Sequence, residues 1–184
     1  MAHGCSSSSN TASSGSSPSA APAVNVSAAD APEVTTAKLG FIALTDAAPL
    51  IIAKEKGFFE KYGMKDVEVA KQASWGATRD NLVLGSQGGG IDGAHILTPM
   101  PYLMTTGKVT KGQPVPMYIL ARLNTNGQGI SVASTYSDLK VGVDSSSLKE
   151  AFAKSKAAGK ELKCAVTFPG GTHDMWMLYW LAAG

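Results

Sequence analysis

From Lys38 onward the chain alternates short apolar runs with stretches of helical period, and that alternation sets the fold class. Residues 38–44 predict a strand. Asp46 can N-cap a helix over residues 47–62, where Leu50, Ile51 and Ala53 lead into Gly57-Phe58-Phe59 and Gly63 ends the run. Residues 66–72 predict a second strand, and Ser74 caps a helix over residues 75–84. A third strand falls on residues 91–97, after which Thr98, with Pro99 at the first helical position, starts a helix through Met104. Three strand-to-helix units in succession imply a parallel sheet covered by helices and joined by right-handed crossovers.

Residues 115–123 predict a further strand, and then Asn124-Thr125-Asn126-Gly127-Gln128-Gly129 breaks all periodicity with the composition of a hinge. Beyond it, residues 130–133, 139–143 and 162–168 predict strands and residues 146–158 and 172–183 predict helices, so a second α/β lobe begins. The last helix carries Met175, Trp176, Leu178, Tyr179, Trp180 and Leu181, which need partners on more than one side. Trp176 and Trp180, four residues apart, are expected in a core. Gly184 suits a C-cap, yet no closing element follows, and the expectation is a fragment cut inside the second lobe.

Composition changes the picture at the amino end. Residues 1–37 contain 10 Ser, 9 Ala and 3 Pro, which leaves too little apolar area to offset chain entropy and predicts a flexible tether. That segment holds Asp30 and Glu33 with no Lys or Arg, so the remainder, with 16 basic and 12 acidic residues, is only mildly basic. With Arg79 and Arg122 as the only guanidinium groups, nothing resembles a nucleic-acid footprint. No apolar run reaches the roughly 18 residues of a spanning helix. Two cysteines, Cys5 and Cys164, make no disulfide framework, and Cys164 in an apolar strand reads as a small buried hydrophobe.

In open α/β sheets ligands bind beyond the carboxyl ends of the strands, so the turns there are where chemistry is sought. They are Thr45-Asp46, Ala73-Ser74-Trp75-Gly76, Thr98-Pro99 and Gly170-Gly171-Thr172-His173, each leading into a helix N-terminus whose free N–H groups suit a small anion. In the last, paired glycines allow close backbone approach, Thr172 can cap the helix, and His173 either donates to a ligand or is simply solvated. Trp75 is a cleft wall or a core plug, and Gln128 a ligand donor or an ordinary loop residue. His95, inside a strand, reads as a core histidine or one standing behind the site. No Gly-x-Ser-x-Gly, Walker loop or zinc spacing is present, so no metal or cofactor is expected. Gly85-Ser86-Gln87-Gly88-Gly89-Gly90 leads into a strand, the wrong order for a phosphate loop.

Four stretches carry a family resemblance: Leu39-Gly40-Phe41-Ile42-Ala43-Leu44-Thr45-Asp46-Ala47-Ala48-Pro49-Leu50-Ile51-Ile52-Ala53, Lys71-Gln72-Ala73-Ser74-Trp75-Gly76, Asp92-Gly93-Ala94-His95-Ile96-Leu97-Thr98-Pro99-Met100-Pro101 and Thr167-Phe168-Pro169-Gly170-Gly171-Thr172-His173-Asp174-Met175-Trp176. They resemble the nitrate-binding and bicarbonate-binding lipoproteins of cyanobacterial-type ABC importers, from about Lys38 to Gly184. Family members are about twice this long. The resemblance implies a two-lobed periplasmic-binding-protein-like α/β fold, with lobe one over residues 38–123 largely present and residues 124–184 the hinge and truncated start of lobe two. It also implies an oxyanion held between the lobes by Trp75, Gln128 and His173, next to Gly171 and Thr172. A further charged residue that chooses the ligand lies, by resemblance, beyond this sequence: a basic one suits nitrate, a carboxylate suits bicarbonate, which also donates a hydrogen bond. Gly4-Cys5 before a Ser-rich linker resembles the end of a lipoprotein signal, with Cys5 carrying the lipid and the rest of the signal upstream of Met1.

The resulting expectation is a binding protein and not an enzyme. It is anchored by lipid on the periplasmic side of the inner membrane, captures nitrate, with nitrite as a further candidate ligand, and delivers it to the membrane and ATPase subunits of a transporter. Bicarbonate capture is the near rival. An enzyme using His173 as a base, or a cytosolic anion sensor, are the remaining readings, and the absence of a nucleophile or metal set beside His173 counts against the first.

Overall fold

A computed structural model describes residues 24–125 and 127–184. Cys5, most of the expected tether and Asn126 lie outside the described residues. Where the expected tether is described it makes contacts: the Val24 N–H donates to the Lys61 carbonyl (3.3 Å), and the Ser27 hydroxyl donates to the Asp30 carboxylate (2.6 Å).

β1 (Thr36–Phe41) is the centre of a three-stranded parallel sheet of order β2-β1-β3. β2 (Asp66–Lys71) pairs with β1 from Thr36↔Asp66 to Phe41↔Lys71, and β3 (Gly93–Ala94) pairs only through Leu39↔Gly93 and Gly40↔Ala94. The expected third strand over residues 91–97 is therefore far shorter, although its edges are pinned. The Asp92 N–H donates to the Lys38 carbonyl (2.8 Å), the Lys38 N–H returns to the Asp92 carboxylate (2.9 Å), and the His95 N–H donates to the Gly40 carbonyl (2.9 Å). Gly40 has no room for a side chain: a Cβ there would stand 2.6 Å from Ile91 Cδ1 and 3.0 Å from Gln72 Cγ.

The helix expected over residues 47–62 is two helices, α1 (Ala48–Glu55) and α2 (Phe58–Lys61), because Gly57 adopts the left-handed conformation (φ +67°) between them. Asp46 does not cap α1; it lies in a short 3-10 turn, Thr45–Ala47, and Ala47 is the residue before the helix. α3 (Trp75–Leu84) follows the expected cap, with the Ala77 N–H donating to Ser74 Oγ (3.1 Å). α4 (Pro99–Thr105) begins with Pro99 as expected, but Thr98 is already helical and makes no side-chain cap. α5 (Lys149–Ala157) and α6 (Thr172–Ala183) complete the helices described.

Burial divides the chain unevenly. Of the buried apolar residues among those described, Ala47, Val67, Trp75, Ile91, Leu97, Met100 and Met104 belong to the first lobe and only Leu148 to the second. The strands expected over residues 115–123, 130–133, 139–143 and 162–168 do not form. A strand needs a neighbour to take its N–H and C=O groups, and none runs beside these segments among the described residues. Their apolar side chains stay exposed, Leu120 at 96% and Val143 at 98%. Cys164 is exposed, not buried, for the same reason. Trp176 is likewise no core residue at 56% exposure; Trp180 is partly covered through Nε1 donating to the Gly142 carbonyl (3.2 Å).

Candidate functional site

The carboxyl ends of the three strands gather at one edge of the first lobe, and each candidate turn reaches that edge by a traceable local cause. After β2, Gln72 is buried and accepts from Asn81 Nδ2 (2.6 Å), which ties the strand end to α3. Ser74 then caps α3, and Thr78 Oγ1 donates to the Ser74 carbonyl (2.9 Å), so the turn is fixed from both sides. Trp75 is thereby held as the first residue of α3. It is 8% exposed, so most of its indole is packed in the first lobe and at most an edge is left for a ligand.

The turn before α6 is built differently from expectation. Gly170 has φ +77°, Gly171 is the N-cap residue, and Thr172 makes no side-chain cap. The capping group is Asp174, whose Oδ2 accepts from the Gly170 N–H (2.7 Å), because a carboxylate at the third helical position can reach back over the helix start. A Cβ on Gly170 would stand 3.0 Å from Leu103 Cδ1, and one on Gly171 3.0 Å from Leu97 Cδ1. The paired glycines thus let the second-lobe turn lie directly on the segment from β3 into α4. Thr167 Oγ1 lies 2.8 Å from His173 Nδ1, and this hydrogen bond turns the ring and leaves Nε2 as its other polar atom. The first-turn N–H groups of Thr172 and His173 have no partner within the helix.

Gln128 is exposed in an irregular segment, and among the described residues no hydrogen bond joins Trp75, Gln128 and His173. Nor do two concavities on the surface contain them. One of about 280 Å³ is lined by Ile130, Ser134, Tyr136 and Lys140; another of about 210 Å³ is lined by Lys38, Asp66, Glu68 and Asp92 at the amino end of the sheet, opposite the strand ends where ligands of open α/β sheets bind. In the latter, Asp92 is held below the ordinary carboxylate range by the Ser86 hydroxyl and then the Lys38 N–H. Among the described residues there is no group of three or more His, Cys, Asp or Glu suited to a metal, and no helix long and apolar enough to cross a membrane.

One cluster escaped the sequence pattern. Asn124 Nδ2 donates to the Asp46 carbonyl (2.7 Å) and lies 3.3 Å from His95 Nε2, and His95 Nε2 lies 3.8 Å from Asp46 Oδ2. Asp46 and Asn124 are 78 residues apart, so no local signal links them.

Comparison with known proteins adds to this geometry. The model of the NMT1-like family matches residues 30–184. The nitrate/nitrite binding protein NrtA of Synechocystis sp. is 76% identical over 155 residues, covering 84% of this chain and 34% of that protein. The bicarbonate-binding protein CmpA of Synechococcus elongatus is 50% identical over 153 residues, covering 83% of this chain and 34% of that protein. The crystal structure of the periplasmic nitrate-binding protein NrtA from Synechocystis is similar with a TM-score of 0.77 at 77% identity, over 84% of this chain and 39% of that one. The chain therefore spans little more than a third of the length of these relatives.

Proposed function

The chain belongs to the NMT1-like family, and we propose that it forms the first lobe and the opening of the second lobe of an extracytoplasmic binding protein that captures nitrate for an ABC importer. The observation that carries this reading is the seating of the Gly170-Gly171 turn on Leu97 and Leu103. It sets the start of α6 against the segment that leaves β3, which supports an anion site at that helix N-terminus. Free N–H groups and the positive end of the helix dipole favour an anion there without a cation in contact. Support for nitrate over bicarbonate is the gap between 76% identity to the nitrate/nitrite binder and 50% to the bicarbonate binder over nearly the same stretch.

In this reading Trp75, Gln128 and His173 surround the anion, with Thr172 offering a backbone N–H group and Gly171, whose own N–H donates to the Phe168 carbonyl (2.9 Å), letting the backbone come close. Nitrate accepts hydrogen bonds and donates none, so it needs aimed donors and an apolar wall: the amide of Gln128, the ring of His173, and the indole of Trp75. The protein binds and releases its ligand and performs no bond chemistry. Membrane and ATPase subunits receive the anion, and a lipid on Cys5 keeps the protein at the periplasmic face of the inner membrane. Growth on labelled palmitate followed by Cys5→Ser tests that anchor: label retained by the variant refutes it.

Titration calorimetry on the full-length protein, first with nitrate, then nitrite and bicarbonate, tests the ligand. Removing one donor from a desolvated site costs about 1 to 3 kcal/mol, roughly 5-fold to over 100-fold in affinity, so Trp75→Ala, Gln128→Ala and His173→Ala each weaken nitrate by that range. Unchanged binding in all three variants overturns the site; a parent that binds only bicarbonate overturns the ligand.

A further inference from the structure

We propose that Asn124 is a positioning residue for the ligand site, clamping the segment that crosses between the lobes to Asp46 and His95 so that Gln128 is held at the carboxyl end of the sheet. The proposal rests on the reading of Gln128 as a ligand donor. The crossing segment is tied at its start, where the Val115 N–H donates to the Met104 carbonyl (3.0 Å) and the Met117 N–H to Thr105 Oγ1 (3.1 Å). Its next tie is Asn124. Gln128 follows four residues later, and four extended residues reach about 14 Å at most, so the clamp confines Gln128 to the neighbourhood of the Asp46–His95 corner.

The Asn124 hydrogen bonds require one tautomer of His95. The Asp46 carbonyl only accepts, so the Asn124 atom 2.7 Å from it is the amide nitrogen. The second hydrogen of that amide faces His95 Nε2 at 3.3 Å, which must then offer a lone pair and leave the ring proton on Nδ1. His95 Nδ1 and Asp46 Oδ1 are both buried without a protein partner, and the His95 side chain is only 9% exposed. Two orphaned buried polar atoms make this corner a poor device for stability alone, since an apolar pair would avoid their desolvation. What the corner does accomplish is to hold Asn124.

The variants follow from the donors. Asn124→Asp keeps the shape but turns both donors into acceptors, facing the Asp46 carbonyl and the His95 lone pair. His95→Gln keeps an acceptor oxygen and should restore the clamp. In the full-length, ligand-free protein, the ring-nitrogen shifts of His95 are expected to show the Nδ1–H form in the parent, and a changed tautomer balance in Asn124→Asp. Amide exchange at Gly127, Gln128 and Gly129 is expected to speed up in Asn124→Asp and to stay near the parent rate in His95→Gln. Nitrate affinity is expected to fall about tenfold in Asn124→Asp and by less than threefold in His95→Gln. An Nε2–H form in the parent, or unchanged exchange at Gln128 in Asn124→Asp, overturns the clamp whatever the ligand. Changed exchange with unchanged nitrate affinity overturns positioning, and a parent that binds no nitrate but shows the exchange change overturns the ligand reading while upholding the clamp.

Discussion

Gly170→Ala tests whether the second-lobe turn rests on the first lobe. Two costs add at this position. An alanine at φ +77° occupies the left-handed region, which costs about 1 kcal/mol for a residue with a Cβ. The new methyl also stands 3.0 Å from Leu103 Cδ1, tighter than ordinary contact, and pushing that side chain aside adds about 1 kcal/mol. Gly57 is the matched reference: φ +67°, with nothing within 4 Å of its Cβ position, so Gly57→Ala measures the backbone cost alone. Urea unfolding followed by tryptophan fluorescence should give a loss of about 1 kcal/mol for Gly57→Ala and about 2 kcal/mol for Gly170→Ala. In a Leu103→Ala background the two glycine substitutions should cost the same. Equal costs in the parent background, or a gap that survives Leu103→Ala, refute the contact between the turn and α4.

Other consequences are open to direct measurement. Ser74→Ala removes the cap of α3 and should cost about 1 kcal/mol of stability, read by urea unfolding, while releasing Trp75 and so raising its fluorescence quenching by iodide. Asp92 has its carboxyl lowered by bonds made only in the folded chain, so its stabilisation is present above the ordinary carboxylate pKa and is lost as pH falls through the lowered value. Asp92→Asn should therefore be less stable at neutral pH and show a flatter decline on acidification, and an unchanged acid limb refutes this. The 184-residue chain exposes Trp176, Leu178 and Tyr179 on α6 together with Tyr118 and Leu120, so it should bind a hydrophobic dye or self-associate; a dye-silent monomer in sedimentation counts against unpartnered second-lobe surface.

What could be read from the sequence was what its own neighbourhood decides. β2 and the helices α3, α4 and α6 lie within a residue or two of their expected bounds, because Ser74, Pro99 and the paired glycines before α6 act locally. The division of residues 47–62 at Gly57 was hidden by apolar residues that continue the helical period on both sides. Apolar spacing records which face is buried but not whether the backbone turns left-handed at one residue. The strands expected over residues 115–123, 130–133, 139–143 and 162–168 fail to form for a different reason: alternation marks a segment able to pair, and pairing needs a neighbour that the pattern does not contain. At the site, the strand-end turns were legible, whereas the replacement of Thr172 by Asp174 as the capping group, and the Asn124 contact with Asp46 and His95, depend on distances that only the fold sets.

Asp174 bears on how an anion can be held at all. Its carboxylate sits in the first turn of α6, bonded to the Gly170 N–H, and so already answers part of the positive end of the helix dipole. A second negative charge beside it is tolerable only if the donors facing it are aimed and the surroundings exclude water, since neutral donors gain strength as the local dielectric falls. A weakly basic, planar anion fits that demand better than a strongly hydrated one. In the proposed site, the seating of Gly170 and Gly171 on Leu103 and Leu97 supplies an apolar floor, and the Asn124 bond to the Asp46 carbonyl ties the crossing segment. Specificity in such a site comes from geometry and desolvation, so small shifts of the second-lobe turn should change affinity more than added surface charge. Gly171→Ala, whose Cβ would stand 3.0 Å from both Leu97 Cδ1 and the Phe168 carbonyl, lifts the turn without altering any charge. It should weaken nitrate binding by about tenfold in calorimetry, with little dependence on salt between low and physiological ionic strength. A loss that salt reverses, or no loss, would show that charge and not seating sets the affinity.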